Sequence, residues 1–112
     1  MVKVFTRRLV REIAVPVPDG AGGYTESWEA QGAFWAEVKL RSGALPHKEF
    51  GRTARTQVRI TTHDIPAGHH SRPVVGQRLR DGQRYYLVET VHESDRRHLV
   101  ILASEITGEV TP

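Results

Sequence analysis

Apolar and polar residues alternate along several short stretches of the chain, which is the period-two pattern of half-buried β-strands. The clearest stretch is residues 30–41, AQGAFWAEVKLR, where even positions are apolar or small and odd positions are mostly polar. Gly32 interrupts it, and an isolated glycine in a strand commonly marks a β-bulge. Trp35 places a large ring among the polar positions. It either covers the edge of a second core layer or anchors a partner, because aromatic residues are enriched at interfaces.

Other segments alternate in the same way, at residues 8–17, 57–62, 83–91 and 98–106. The first is predicted to end at Pro16 and Pro18, because proline cannot donate to a sheet, so that its last part lies at an edge or outside the sheet. Asp81-Gly82 is the strongest hairpin signal and joins residues 74–80 to the following strand. The last segment is apolar on both faces, as in a strand with a neighbour on each side. Alternation predicts a core containing Phe34, Val38, Ile60, Val88 and Leu102.

No segment has a convincing helical period, and ten glycines and six prolines recur between the short alternating runs. This combination favours an all-β fold, a small antiparallel β-barrel or sandwich. The 112 residues predict a single domain, with its core at about 8–106. One long loop, residues 42–56, lies between the second and third long strands, and a loop of that length in a compact domain is usually functional or disordered.

Charge and composition narrow the class of protein further. Sixteen basic and thirteen acidic residues give a formal charge of +3 and a pI near 9.7, which is mild for a nucleic-acid-binding domain. The absence of cysteine excludes disulfides and thiolate chemistry and fits a reducing cytoplasm. No stretch approaches the length of a membrane span, so no contact with a membrane is expected.

The sequence carries no recognisable catalytic set. It has no serine in a nucleophile-elbow context and no paired histidines at helical spacing, so we do not expect an enzyme, a catalytic residue or a cofactor. The glycine-rich residues 19–23 lack the Lys-Ser/Thr pair and helix of a phosphate loop. The histidines and aspartate of residues 63–70 match no metal-site spacing, and a solvated loop is expected there.

A small nucleic-acid-binding β-barrel module is the alternative class. Such a module needs exposed aromatic residues interleaved with basic ones on a sheet face, and Arg59, Arg84, Tyr85 and Tyr86 could be arranged in that way. The alternation of residues 86–90 nevertheless commits at least one of the two tyrosines to packing.

The order and spacing of these segments resemble the phage head-tail joining family, the connector or stopper proteins of siphophages, prophages and gene transfer agents. The resemblance covers roughly residues 9–105. It is carried by LVREIAV (9–15), DGAGG (19–23) with Trp28, FWAEV (34–38) with RSG (41–43), QVRITT (57–62), GQRLRDGQRYYLV (76–88) and HLVILASE (98–105). The chain departs from the family at Pro46 and His47, and in a longer, more polar crossover at His69 and His70. Both departures fall in loops and bear on partner specificity.

The resemblance implies a structural protein made in the bacterial cytoplasm and located in the virion neck. It implies a homo-oligomeric ring, with six subunits expected near the tail and twelve at the portal. The ring would contact the portal or adaptor on one side and the tail terminator or tail tube on the other, and would retain packaged double-stranded DNA. The family's central loop faces the channel, and here Lys48, Arg52 and Arg55 would be its DNA-facing cations. Trp35, Leu45 and Phe50 are candidate partner-docking residues, although Leu45 and Phe50 could equally attach the loop to the core.

Overall fold

A computed structural model describes residues 5–41, 56–94 and 97–106. Within them six antiparallel strands form a closed barrel in the order β1-β2-β3-β6-β5-β4. The strands are β1 (Arg7–Pro18), β2 (Tyr24–Leu40), β3 (Gln57–His63), β4 (Arg78–Asp81), β5 (Arg84–Glu93) and β6 (His98–Ile106). The all-β prediction is confirmed, and of its two forms the barrel is the one present.

The barrel interior holds the hydrophobic core. Phe34, Ile60 and Val88 are buried in it as predicted, and Val38 is partly buried against it. The prediction for Leu102 is wrong. Leu102 lies on the outer face of β6, directly opposite Arg59 of β3, while its neighbours Leu99, Ile101 and Ala103 point inward. Because β6 is apolar on both faces, alternation could not determine which residues face the core.

The first strand does not end at Pro16 and Pro18 as predicted, but continues through both of them. β1 pairs with β4 only from Val10 to Glu12. Beyond that point, in the part of the chain that the structure describes, residues 13–18 pair with residues 24–29 of β2 and with no other strand. The prolines are tolerated because this part of β1 has a free edge, as the sequence predicted. We call residues 13–29 the arm. Six residue pairs give it a length of roughly 20 Å.

A β-bulge lies where the arm meets the barrel. Arg11 pairs with Gly32 and Glu12 with Ala30, so Gln31 is the extra residue, and the bulge predicted at Gly32 is confirmed. Gly32 also lies against the crossover between β3 and β4. A Cβ added at residue 32 would lie 2.7 Å from the carbonyl oxygen of His70. The same carbonyl accepts a 2.6 Å hydrogen bond from Nη1 of Arg11.

Two turns follow the predicted chemistry. Asp81-Gly82 joins β4 to β5 as the expected hairpin, and Gly82 has the left-handed φ of 65° that glycine adopts readily. At the tip of the arm, Oδ1 of Asp19 accepts hydrogen bonds from the amides of Ala21 at 2.8 Å and Gly23 at 3.0 Å. The side chain therefore fixes the reversal between β1 and β2.

Candidate functional site

Most residues of the predicted channel loop lie outside the described residues, and these include Lys48, Arg52, Arg55, Leu45 and Phe50. Their assignments stay predictions. The two ends of the loop are described: the amide of Arg41 donates a 3.0 Å hydrogen bond to the carbonyl of Gln57. The loop therefore leaves and rejoins the barrel at one point, where β2 ends and β3 begins.

Trp35 lies on the outer face of β2, directly opposite Arg8 of β1, and 52% of its surface is exposed. Its backbone carbonyl accepts a 2.6 Å hydrogen bond from the hydroxyl of Thr62, which anchors this part of β2 to β3. A rigid, half-exposed indole on a strand suits the predicted role in docking a partner, which stays a prediction.

A pocket of about 260 Å³ opens beside Trp35. It is lined by Ala33, Phe34, Trp35, His63, Asp64, Ile65, Pro66, His69 and Ser71. His69 and His70 stack with ring centroids 4.2 Å apart, and both are exposed. In residues 5–41, 56–94 and 97–106, no group of three or more His, Asp or Glu side chains is placed to hold a metal ion. The pocket is therefore a partly apolar cleft that can accept a protruding side chain.

A basic surface continues from Trp35 along the outside of β2 and β3. We call Arg8, Trp35, Lys39 and Arg59 the cationic face, since they share the outer side of adjacent strands. Among the described residues, no carboxylate lies within ion-pair distance of Arg8 or Arg59, and Lys39 has only a 3.8 Å contact with Glu37. A smaller pocket of about 140 Å³ lies within this face, lined by Glu37, Lys39, Arg59 and Thr61. The cationic face can therefore accept anionic groups.

Basic residues at the base of the arm are already paired. Glu12, which is buried, accepts hydrogen bonds from Nε of Arg78 at 2.6 Å and from Nε of Arg80 at 2.9 Å. The guanidinium of Arg78 also lies over the rings of Trp28 and Tyr85, 4.4 Å and 4.1 Å from their centroids. Sequence reasoning missed this cluster, because its partners come from three separate parts of the chain and carry no local motif.

The four residues proposed for a nucleic-acid surface do not come together. Tyr86 is in the core, as expected for at least one of the tyrosines, and burial raises the pKa of its hydroxyl. The ring of Tyr85 is covered by Arg78. Arg59 lies on β3, which pairs with β2 and β6 and not with the strands that carry Arg84 and the tyrosines. Their arrangement gives no stacking platform for bases.

Comparison with known proteins shows similarity to a protein family and to a solved structure. The family model of the phage head completion proteins matches residues 2–106. A chain from a solved structure described as the virion of a native gene transfer agent particle is 38% identical, with a TM-score of 0.74, and the match covers 95% of this chain and 99% of that one. No match was found among curated proteins. No helix among the described residues is long and apolar enough to cross a membrane.

Proposed function

Because the chain belongs to the phage head completion protein family, we propose that it is a head-tail connector or stopper in the neck of a phage-like particle. The family match over residues 2–106 carries this proposal. The virion neighbour supports it, because the two chains correspond over almost their whole lengths. The role is structural, and we infer no enzymatic activity. The particle is that of a siphophage-like virus, a prophage or a gene transfer agent.

The proposed assembly is a homo-oligomeric ring between the portal or adaptor and the tail terminator or tail tube. Six subunits are expected near the tail, and twelve where the ring matches the portal. In a ring each subunit repeats one head-to-tail contact, so a modest interface can suffice when symmetry multiplies it. The exposed indole of Trp35 and the other residues of the cationic face are surfaces that such contacts can use.

Retention of packaged DNA is the second part of the proposal. The loop at residues 42–56 carries Lys48, Arg52 and Arg55 against the single carboxylate of Glu49. Facing the channel of a ring, these cations would form a collar that attracts the phosphates of double-stranded DNA. The contact requires no sequence recognition, because it is made to the DNA backbone.

Removal of the gene from a phage or gene transfer agent that encodes this protein tests the proposal. We expect heads that package DNA and then lose it, together with unattached tails, and recovery when the gene is supplied from a plasmid. Electron microscopy counts filled, empty and tailed particles. Normal yields of filled, tailed particles would refute the proposal. A purified monomer that binds DNA tightly, with a steep salt dependence, would favour the nucleic-acid-binding module instead.

A further inference from the structure

Charge is unevenly divided between the arm and the barrel. Residues 13–29 include three of the thirteen carboxylates of the chain, at Asp19, Glu26 and Glu29, and none of its sixteen lysines and arginines. All three carboxylates are exposed. The backbone hydrogen bonds that Asp19 accepts lower its pKa, so it is ionised at neutral pH. The arm is therefore an acidic projection from a basic protein.

One face of the arm also carries an apolar stripe, which the described part of the chain covers only partly. Ile13, Val15 and Val17 point to the same side of the ribbon, and their cross-strand partners Glu29, Ser27 and Thr25 share that side. None of these six side chains is fully buried. A two-stranded ribbon alone is only marginally stable in water. An apolar stripe of this kind gains stability when another surface covers it.

The cationic face offers the complementary properties on the barrel. Arg8 and Arg59 have free guanidinium groups as far as the described residues show, and the small pocket next to Lys39 can receive a carboxylate. Trp35 supplies a large apolar surface in the same place. The two surfaces of one copy lie far apart. Ser27 and Trp35 are eight positions apart on β2, a distance of roughly 25 Å along the strand.

We propose that the arm of one copy docks on the cationic face of a second copy, with the stripe of Ile13, Val15 and Val17 over Trp35, and with Glu29 on the same side of the ribbon facing Arg8 and Arg59. The inference rests on the proposed ring and names the contact that builds it. Because the two surfaces differ, the contact is head-to-tail, and each bound copy leaves one arm and one cationic face free for the next.

A second copy fits the cationic face better than DNA does. The exposed indole of Trp35 needs an apolar partner, which a phosphate backbone does not supply. The arm provides both carboxylates and an apolar stripe. DNA binding by this face is therefore the competing outcome that the experiment separates.

Crosslinking tests the contact, because the chain contains no cysteine. Ser27 lies at the centre of the stripe, and His63 is exposed on β3 beside Trp35. The full-length S27C/H63C protein is treated at high concentration with a short bismaleimide. We expect a ladder of dimers, trimers and higher species. S27C alone and H63C alone should give no ladder, and S27C/Q83C, with its second cysteine in the β4–β5 turn, is the matched control.

Charge reversal then tests complementarity. E29R added to the crosslinking protein, and separately R8E/R59E, should each lower the yield of the ladder by roughly five- to tenfold, as expected when attractive rim contacts become repulsive. An equal mixture of the two reversed proteins should restore the ladder, because each arm again faces a surface of opposite charge. R84E, a reversal at an exposed position of β5, should leave the yield unchanged. Circular dichroism confirms that each variant is folded.

The proposal is overturned if the S27C/H63C protein gives no more ladder than the S27C/Q83C control. It is also overturned if the ladder is insensitive to charge reversal, or if R8E/R59E abolishes DNA binding in a protein that forms no ladder. These results are separate from the test of the neck function. Particles that lose DNA when the gene is deleted, together with an absent ladder, would keep the neck role and reject this contact.

Discussion

The Nε atom of Arg78 lies 2.6 Å from Oε1 of Glu12, and this pair links β4 to the last residue of β1 that pairs with the barrel. The carboxylate side chain is 8% exposed and that of Arg78 is 11% exposed, so the pair is shielded from water. The Glu12–Arg78 pair lies where the arm begins. The stability of the barrel and the orientation of the arm therefore depend on the same carboxylate.

Replacing Glu12 with alanine should destabilise the protein by about 3–5 kcal/mol, because Arg78 would be left largely buried without its anion. Chemical denaturation measures the loss. Glu26→Ala is the control, since Glu26 is an exposed carboxylate on the neighbouring strand and should change stability by no more than about 0.5 kcal/mol. Equal losses in the two variants would contradict a structural role for the Glu12 pair.

Phe34→Ala should cost about 3–5 kcal/mol, because it removes a large side chain that is 4% exposed in the core. Its neighbour Trp35 provides a matched control of similar size on the opposite face. Trp35→Ala should reduce the melting temperature far less. If Trp35→Ala lowered the melting temperature more than Phe34→Ala, the assignment of Phe34 to the core face of β2 would be wrong.

Gly32→Ala should also destabilise the fold, by about 1–3 kcal/mol, since the added methyl group meets the backbone carbonyl of His70 at 2.7 Å and Oγ of Ser71 at 2.9 Å. The crossover loop would have to move away from β2. Thermal unfolding measures the effect, with Ala30→Ser as a control at an exposed position of the same bulge. An unchanged melting temperature would mean that the crossover does not pack on Gly32.

The turn at the tip of the arm should depend on pH. Hydrogen bonds from the amides of Ala21 and Gly23 hold the pKa of Asp19 below its ordinary value of 3.8. The ionised carboxylate therefore stabilises the turn above that value, and the stabilisation is lost as pH falls through the lower pKa of the folded state. NMR should show the two amides losing protection in acid. Asp19→Asn keeps an acceptor oxygen and should remove the pH dependence at this site.

Shortening residues 42–55 to a few glycines and serines should leave folding nearly unchanged, because loop length has a small effect on stability and both ends already meet at the Arg41–Gln57 hydrogen bond. If the loop retains DNA, the variant should produce particles that leak DNA or fail to join tails. Counting filled and tailed particles by electron microscopy measures this. A loop of unchanged length with Lys48, Arg52 and Arg55 replaced by serine tests the cations separately. Normal particles from both variants would reject the retention role of the loop.

Local sequence patterns were sufficient to predict much of the fold. Period-two alternation identified five of the strands, and Asp81-Gly82 identified the hairpin that contains the short sixth. The order of the motifs indicated the family that the comparison over residues 2–106 then showed. These predictions succeeded because, in a strand with one polar and one apolar face, the alternation of residue types shows which side chains are buried. The same reasoning placed Phe34, Ile60 and Val88 in the core.

The sequence by itself determined the class of the fold, the positions of its turns and its family, while only the tertiary structure decided the phase of β6, the extension of β1 through its prolines and the pairing of Glu12 with Arg78. The reason is physical. Where both faces of a strand are apolar, as at Leu102, alternation does not show which face is buried. Pro16 is acceptable because, among the described strands, only β2 lies beside it. The Glu12–Arg78 pair joins residues 66 positions apart, and contacts at that separation exist only after the barrel has closed.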